Sequence, residues 1–359
     1  MQQVRPNPRI VLVGSVASSF RTLEALIRNG ANLVGVAGLA QSMSPLVSGY
    51  ARMESRAASA GIPYFDFERI NVEAVYRSIE GWAPDLLFVV GLSQIVKRSL
   101  LSLPTMGCVG FHPTWLPMGR GRAPLAWLVL DGKPGAATFF LMNEDIDAGP
   151  ILVQEPFFVA ATDYAGEVEQ KMLNAIDRGL DRWIPRLRAG EWQPEPQHGT
   201  GATYNGARRP EDGLIRWDTS ARDICSLIRA TSRPHPGAHT YVAGARLIIW
   251  RANVVTESYH RGVVGRIIKA NAAGHLLVQT GDGLICLTEY EVDGVEDVVP
   301  RLAPGVKLGY EPQCEIHRLN HMMTHLAQQV AELRRMLDVK DDHRTAGDRN
   351  ATASGESVP

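Results

Sequence analysis

The chain has 359 residues, 45% of them hydrophobic and 21% charged, with a formal net charge of −1. That is ordinary for a globular protein, too long for one small core, and fits two domains plus a tail. A charge so near zero supplies no global field for steering a polyanion such as tRNA, and no run of about 18 apolar residues marks a membrane span.

The N-terminal MQQVRPNPR lacks the apolar core of a signal peptide. Four scattered cysteines (Cys108, Cys225, Cys286, Cys314) form no C-x-x-C. A reducing cytoplasm is therefore expected rather than a disulfide framework. Cys314, His317, His321 and His325 have a helical spacing that suits either a metal or a solvated helix face. The solvated face is the expectation, and no metal is predicted.

Residues 9–14 (RIVLVG) read as a buried strand, followed by a small-residue turn, a helix over 20–29 and a strand over 33–37. This is the first unit of a doubly wound sheet. The turn GSVASS is not G-x-G-x-x-G, so no dinucleotide is predicted. Its helix N-terminus suits an anion, but capping by Ser18 or Ser19 is the preferred role. A helix over 48–60, a strand over 63–65 and a helix over 72–80 follow. Residues 85–90 (DLLFVV) are almost continuously apolar, as in a central parallel strand.

Residues 107–150 organise the rest. An apolar run, 108–111, ends at His112, and a Pro/Gly/Arg-rich loop over 113–121 leads to a helix over 123–130. A strand over 136–141 then opens onto a loop carrying Glu144, Asp145 and Asp147. Ligand and catalytic groups collect at strand ends in open α/β sheets, so His112 and Asp147 are placed to meet across a cleft. Taken alone, the same residues also suit a structural histidine and a solvated turn.

The pieces FHPTWLP, GRGRAP and DIDAGPIL, in this order and spacing, resemble the folate-dependent formyltransferase family. That family includes methionyl-tRNA formyltransferase, glycinamide ribonucleotide transformylase and the amino-sugar N-formyltransferases. Its pattern, Asn-x-His-x-Ser-x-Leu-Pro with a downstream Asp-x-Gly, falls on residues 110–117 and on Asp147, and the resemblance spans residues 9–310. One position departs: Gly110 stands where the family has Asn.

The resemblance implies a Rossmann-like, doubly wound, mostly parallel α/β sheet as a catalytic domain over 1–188, using 10-formyltetrahydrofolate. His112 contacts the formyl oxygen and incoming amine, and Asp147 orients and charges the imidazole. The backbone beyond the strand over 85–90 helps hold the pterin. Phe88, Gly91, Leu92, Asp145 and Ile146 are the cofactor-binding candidates, and Thr114, Arg120, Gly121 and Arg122 the substrate-binding ones. Arg120 and Arg122 would clamp phosphate or carboxylate, unless one braces the loop.

Formyl transfer needs a base for the amine, a donor for the developing oxyanion and positioning of both reactants. Losing one oxyanion donor typically costs about 10²- to 10³-fold in rate. Gly110 therefore leaves three readings. Gln94, Asn143 or a backbone amide compensates; another one-carbon or acyl group is transferred; or the protein only binds. Gln94 is taken as the third catalytic candidate.

A strand over 151–159 and a long helix over 165–187 complete the first domain. Residues 189–212 read as a linker rich in Gly, Pro, Gln and Thr, with Arg208 and Arg209 suited to phosphates or to salt bridges. A helix over 220–230 and alternating strands over 246–250, 263–269, 276–280 and 284–289 suit a small β-barrel, OB-like, within 213–310. Its acids (Glu289, Glu291, Asp293, Glu296, Asp297) favour a structural or oligomer-contact role over nucleic acid. Leu319, Met323, Leu326, Val330, Leu333 and Leu337 form a heptad stripe in a helix over 315–338, suited to packing on the body or to self-association. Residues 340–359 read as disordered.

In tRNA formyltransferases a basic loop follows the second strand, whereas residues 38–51 here hold no Lys or Arg. GRGRAP resembles the sugar enzymes more. The expected function is therefore N-formylation of a small-molecule primary amine, an amino sugar on a nucleotide foremost, by a cytoplasmic homo-oligomer without a nucleic-acid partner. The alternatives are another group transferred to a natural-product amine, methionyl-tRNA formylation, and an inactive folate-binding protein.

Overall fold

The computed structural model describes residues 2–257, 259–293, 301–309 and 312–351. The first domain is built on a seven-stranded sheet. In chain order it comprises β1 (Ile10–Gly14), α1 (Ala17–Arg28), β2 (Leu33–Leu39), α2 (Glu54–Ser59), β3 (Tyr64–Phe67), α3 (Glu73–Gly81), β4 (Leu86–Val90), β5 (Gly107–His112), α4 (Pro124–Asp131), β6 (Gly135–Leu141), β7 (Ile151–Phe157) and α5 (Ala165–Arg188). The spatial order is β3-β2-β1-β4-β5-β6-β7. The first five strands run parallel, and β6 and β7 are antiparallel additions at one edge.

Helices cover both faces, which is why the central strands are apolar at every position. On one face, Leu86, Phe88 and Val90 pack with Leu23 and Leu26 of α1 and with Met172, Ile176 and Trp183 of α5. On the other, Leu87 and Val89 pack with Val75 and Ile79 of α3. The helix expected over 48–60 is shorter. Its first half is instead a turn at 48–49, with Gly49 at a φ of 69°, and an extended stretch in which Tyr50 bridges to Val16.

The second domain holds α6 (Ala221–Thr231) and an antiparallel sheet of β8 (Ala238–Val242), β9 (Ala245–Val255), β10 (Ile267–Ala270), β11 (Leu276–Gln279) and β12 (Leu284–Asp293), in the order β8-β9-β12-β11-β10. The stretch 306–309 closes the sheet towards a barrel. Gly309 N–H donates to Tyr241 of β8, and Ile267 N–H of β10 donates to Val306. Ile224, Cys225 and Ile228 of α6 cover its inner face. Glu296 and Asp297 lie outside the described residues.

The last helix, α7 (Pro312–Ala351), is longer than the 315–338 predicted. Residues 340–351, expected to be disordered, continue it, since the polar stretch contains no proline to stop a helix. Residues 352–359 and the side chains of Cys314 and Leu337 lie outside the described residues. The apolar stripe from Leu319 to Leu333 is exposed rather than packed on the body.

Candidate active site

β5 delivers His112 to the end of the sheet, and the loop after it is pinned from below. Thr138 of β6 donates its hydroxyl to Thr114 O at 2.7 Å, and Gln154 of β7 donates to Leu116 O at 3.2 Å. Thr114, a substrate-binding candidate, is itself buried and donates to Met118 O at 2.8 Å. It shapes the loop instead of facing the cleft.

His112 is buried, 5% exposed. Its Nε2 lies 2.8 Å from Gly119 O. A carbonyl only accepts, so Nε2 carries a proton. Nδ1 lies 3.5 Å from Asp147 Oδ2. Burial pushes the imidazole pKa down, against the opposing pull of Asp147 and the Gly119 bond. The ring is thus neutral near pH 7, with Nδ1 as its basic nitrogen.

Asp147 is held by the GRGRAP loop: its Oδ2 accepts Gly121 N–H at 2.9 Å. Its φ of 52° is left-handed, a conformation that costs energy and persists where the surroundings enforce it. They do so from the segment read as a linker. Gln197 Nε2 donates to Asp147 O at 2.9 Å and to Gly149 O at 2.8 Å. Gln197 Oε1 in turn accepts from Arg120 Nη2 at 2.7 Å. Arg120 also donates to the Tyr204 hydroxyl at 2.8 Å.

Arg120 is therefore a buried brace and not a phosphate clamp. A buried guanidinium needs acceptors on all sides, and the folded linker supplies them. Tyr204–Asn205 pairs with Arg120–Gly121 in a two-residue parallel ladder. Gly121, with φ of 105°, has room for no side chain, because a Cβ would fall 2.4 Å from Asn205 O. Arg122 is exposed and does not line the cleft. Arg208 stacks on Trp127 at 5.3 Å and donates to Asp212 O, so it is already engaged at the domain junction. Arg209 uses its backbone N–H on Asp212.

A cleft of about 680 Å³ opens beside His112 and Asp147. Of the cofactor-binding candidates, Gly91, Leu92, Asp145 and Ile146 line it. Phe88 does not: it is fully buried between Phe139 and Trp183, with ring centroids 6.4 and 6.2 Å away. Strand alternation turns it into the α1/α5 layer. Gln94 lines the cleft, but its amide is committed. Oε1 accepts Ile70 N–H at 2.8 Å and Nε2 donates to Glu68 O at 2.7 Å. Tied at both ends to the β3–α3 loop, Gln94 is a loop brace first, with a single N–H left over for an oxyanion. Ser19 closes the β1–α1 turn, accepting the N–H groups of Ser15 and Val16.

Gly110 also lines the cleft, and the space beside it is filled. A Cβ there would lie 2.9 Å from both Met142 Cγ and Phe140 Cζ. The site thus has an apolar wall at the position of the family asparagine. Sequence reading missed Phe140, Met142, Glu169, His235 and Gln197, for which local spacing offers no signal.

The chain matches the family described as "Formyl transferase" over residues 9–184 and "Formyl transferase, C-terminal domain" over residues 208–298. It is 31% identical over 312 residues to methionyl-tRNA formyltransferase of Pelotomaculum thermopropionicum, covering 86% of this chain and 97% of that one. Among solved structures, HypX from Aquifex aeolicus in complex with tetrahydrofolic acid superposes with a TM-score of 0.59 at 15% identity, over 80% of this chain and 45% of that one. The N-formyltransferase from Helicobacter canadensis, in complex with folinic acid and dTDP-3-aminofucose, gives 0.58 at 15%, over 79% and 99%. At such identities the two structures share the fold. Sequence and fold together place this chain in the formyl transferase family, with both the N-terminal and the C-terminal domain present.

Proposed function

We propose that the protein transfers the formyl group of 10-formyltetrahydrofolate to the primary amine of a small molecule, with His112 and Asp147 as catalytic residues. The observation that carries this reading is the pair of buried His112 and partly exposed Asp147, with Nδ1 and Oδ2 3.5 Å apart at the wall of a cleft. The residues present fit a folate. Ile95 and Ile146 line the cleft although 82% and 66% exposed, and Leu92, Val96, Leu101 and Met142 add apolar surface for a flat ring.

The donor supplies an activated formyl group when bound. His112 Nδ1 takes the proton of the attacking amine, Asp147 stabilises the imidazolium that results, and the imidazolium returns the proton to the leaving nitrogen as its bond to the formyl carbon breaks, releasing tetrahydrofolate. The Gly119 bond keeps the ring from rotating. The apolar wall of Phe140 and Met142 keeps water from the reacting centre.

A small acceptor is favoured by the lack of Lys or Arg in residues 38–51 and by the charge of the cleft, where Arg98 is outnumbered by Glu144, Asp145, Asp147 and Glu169. An amino sugar belongs to this class. Relatives named methionyl-tRNA formyltransferase favour a second reading, in which the amine is that of methionyl-tRNA. The test is incubation with 10-formyltetrahydrofolate and, in parallel, amino sugars, nucleotide-linked amino sugars and methionyl-tRNA, following tetrahydrofolate release and product mass. Release with small amines but not the tRNA supports the first reading; the reverse result rejects it. No release with any acceptor rejects formyl transfer altogether.

The exposed stripe of α7 supports self-association into a homo-oligomer. No described helix is long and apolar enough to cross a membrane, and the free Cys108, Cys225 and Cys286 suit a reducing compartment such as the cytoplasm.

A further inference from the structure

The same cleft has a second polar end that the catalytic pair does not use. Glu169 of α5 and His235 of the second domain both line it, together with Ser48 and Met172. Three segments distant in sequence converge there. A Cβ built on Gly49 would lie 3.7 Å from Glu169 Oε1 and 4.0 Å from Pro234. A Cβ built on Gly166, one turn before Glu169, would lie 3.1 Å from Arg233 O.

Neither side chain has a partner that explains its position. Glu169 makes no hydrogen bond or ion pair among the described residues, and burial raises its pKa. His235 Nε2 is buried without a hydrogen-bond partner. Glu169 is only partly buried and lines the cleft with no protein partner among the described residues, so a donor group of a ligand bound there would complete it.

We propose that Glu169, walled by His235, forms the acceptor subsite, its carboxylate accepting a hydrogen bond from an ammonium or hydroxyl group of the amine substrate remote from the reacting nitrogen. The carboxylate accepts from such a donor and repels phosphate, so acceptors with donor groups at that end are selected over anionic ones. This deepens the small-amine reading and rests on it. The contribution of the second domain is then direct: without the loop at residues 233–235 the subsite lacks one wall.

The test uses the full-length protein and two probes, glucosamine and glucosamine 6-phosphate, titrated by calorimetry into wild type, Glu169→Gln, Glu169→Asp and His235→Ala. The expected result is glucosamine binding to wild type, at least about tenfold weaker in Glu169→Gln, weaker in His235→Ala and intermediate in Glu169→Asp. That factor is the usual weight of one hydrogen bond to a charged group. Glucosamine 6-phosphate should bind wild type more weakly, and the gap should narrow in Glu169→Gln. Equal affinity in wild type and a folded Glu169→Gln, tighter binding of the phosphate, or no glucosamine binding overturns the subsite. If Glu169→Gln does not fold, Glu169→Asp and His235→Ala decide by the same criterion. Because binding is read separately from turnover, a wild type that binds glucosamine yet formylates nothing would sink the formyl-transfer reading alone.

Discussion

The imidazole of His112 donates from Nε2 to the carbonyl of Gly119 at 2.8 Å, and this leaves Nδ1, facing Asp147, as the nitrogen that exchanges protons. In the proposed reaction one ring nitrogen sets the orientation and the other does the chemistry. His112→Ala should lower kcat by about 10²- to 10⁴-fold, the usual weight of a general base. Folate binding, measured by fluorescence titration, should stay within a factor of about two, since the role proposed for the ring is proton transfer and not holding the donor. A variant with undiminished turnover would remove His112 from the mechanism.

The titration of His112 follows from its surroundings. Burial is the largest influence and lowers the pKa; Asp147 and the Gly119 bond oppose it. The imidazole should therefore titrate below its ordinary value of about 6.5, followed by NMR of the ring. Asp147→Asn takes away an influence that raises the pKa, so the midpoint should move lower still, and turnover should fall about tenfold or more. A midpoint moving upward in Asp147→Asn would contradict the pairing.

Gln197 acts at a distance from the cleft. It ties the backbone of Asp147 and Gly149 to the buried Arg120. Gln197→Ala leaves a buried guanidinium short of an acceptor, at a cost of about 1.5–3 kcal/mol in urea unfolding. It also releases the strained backbone that aims Asp147. Turnover should drop about tenfold with little change in folate affinity, because only the aim of the carboxylate is disturbed.

Gly110→Ala tests the apolar wall. The new methyl would stand 2.9 Å from Met142 Cγ and Phe140 Cζ. Overpacking of this kind costs about 1–3 kcal/mol, and adding Met142→Ala should recover only the share due to Met142, since Phe140 stands equally close. Equal stability of Gly110→Ala and wild type would mean that both neighbours yield freely.

Paired substitutions in α7, Leu326→Glu with Leu333→Glu, place charge on the exposed stripe. Light scattering should show wild type as a dimer or larger and the variant as a monomer, since a buried charge in such a seam is not tolerated. A monomeric wild type at working concentration would reject self-association through this helix.

Most of the strand and helix pattern of the first domain, the antiparallel character of the second and the positions of His112 and Asp147 after strands were legible in the sequence, though the helix over 48–60 and the strand β8 were not. Apolar runs and Gly/Pro punctuation carry that information locally. Side-chain direction was not legible. In a strand covered on both faces every position is apolar, so nothing in residues 86–90 tells that Phe88 turns into the α1/α5 layer while Gly91 and Leu92 reach the cleft. Arg120 has the composition of a surface clamp and is buried only because the chain returns with Gln197 and Tyr204. Gln94 read as a free donor, whereas the β3–α3 loop ties both ends of its amide. The tertiary structure decided these roles, and the meeting of Glu169 with His235, because each depends on which distant segment satisfies a polar group, and local periodicity contains no record of that.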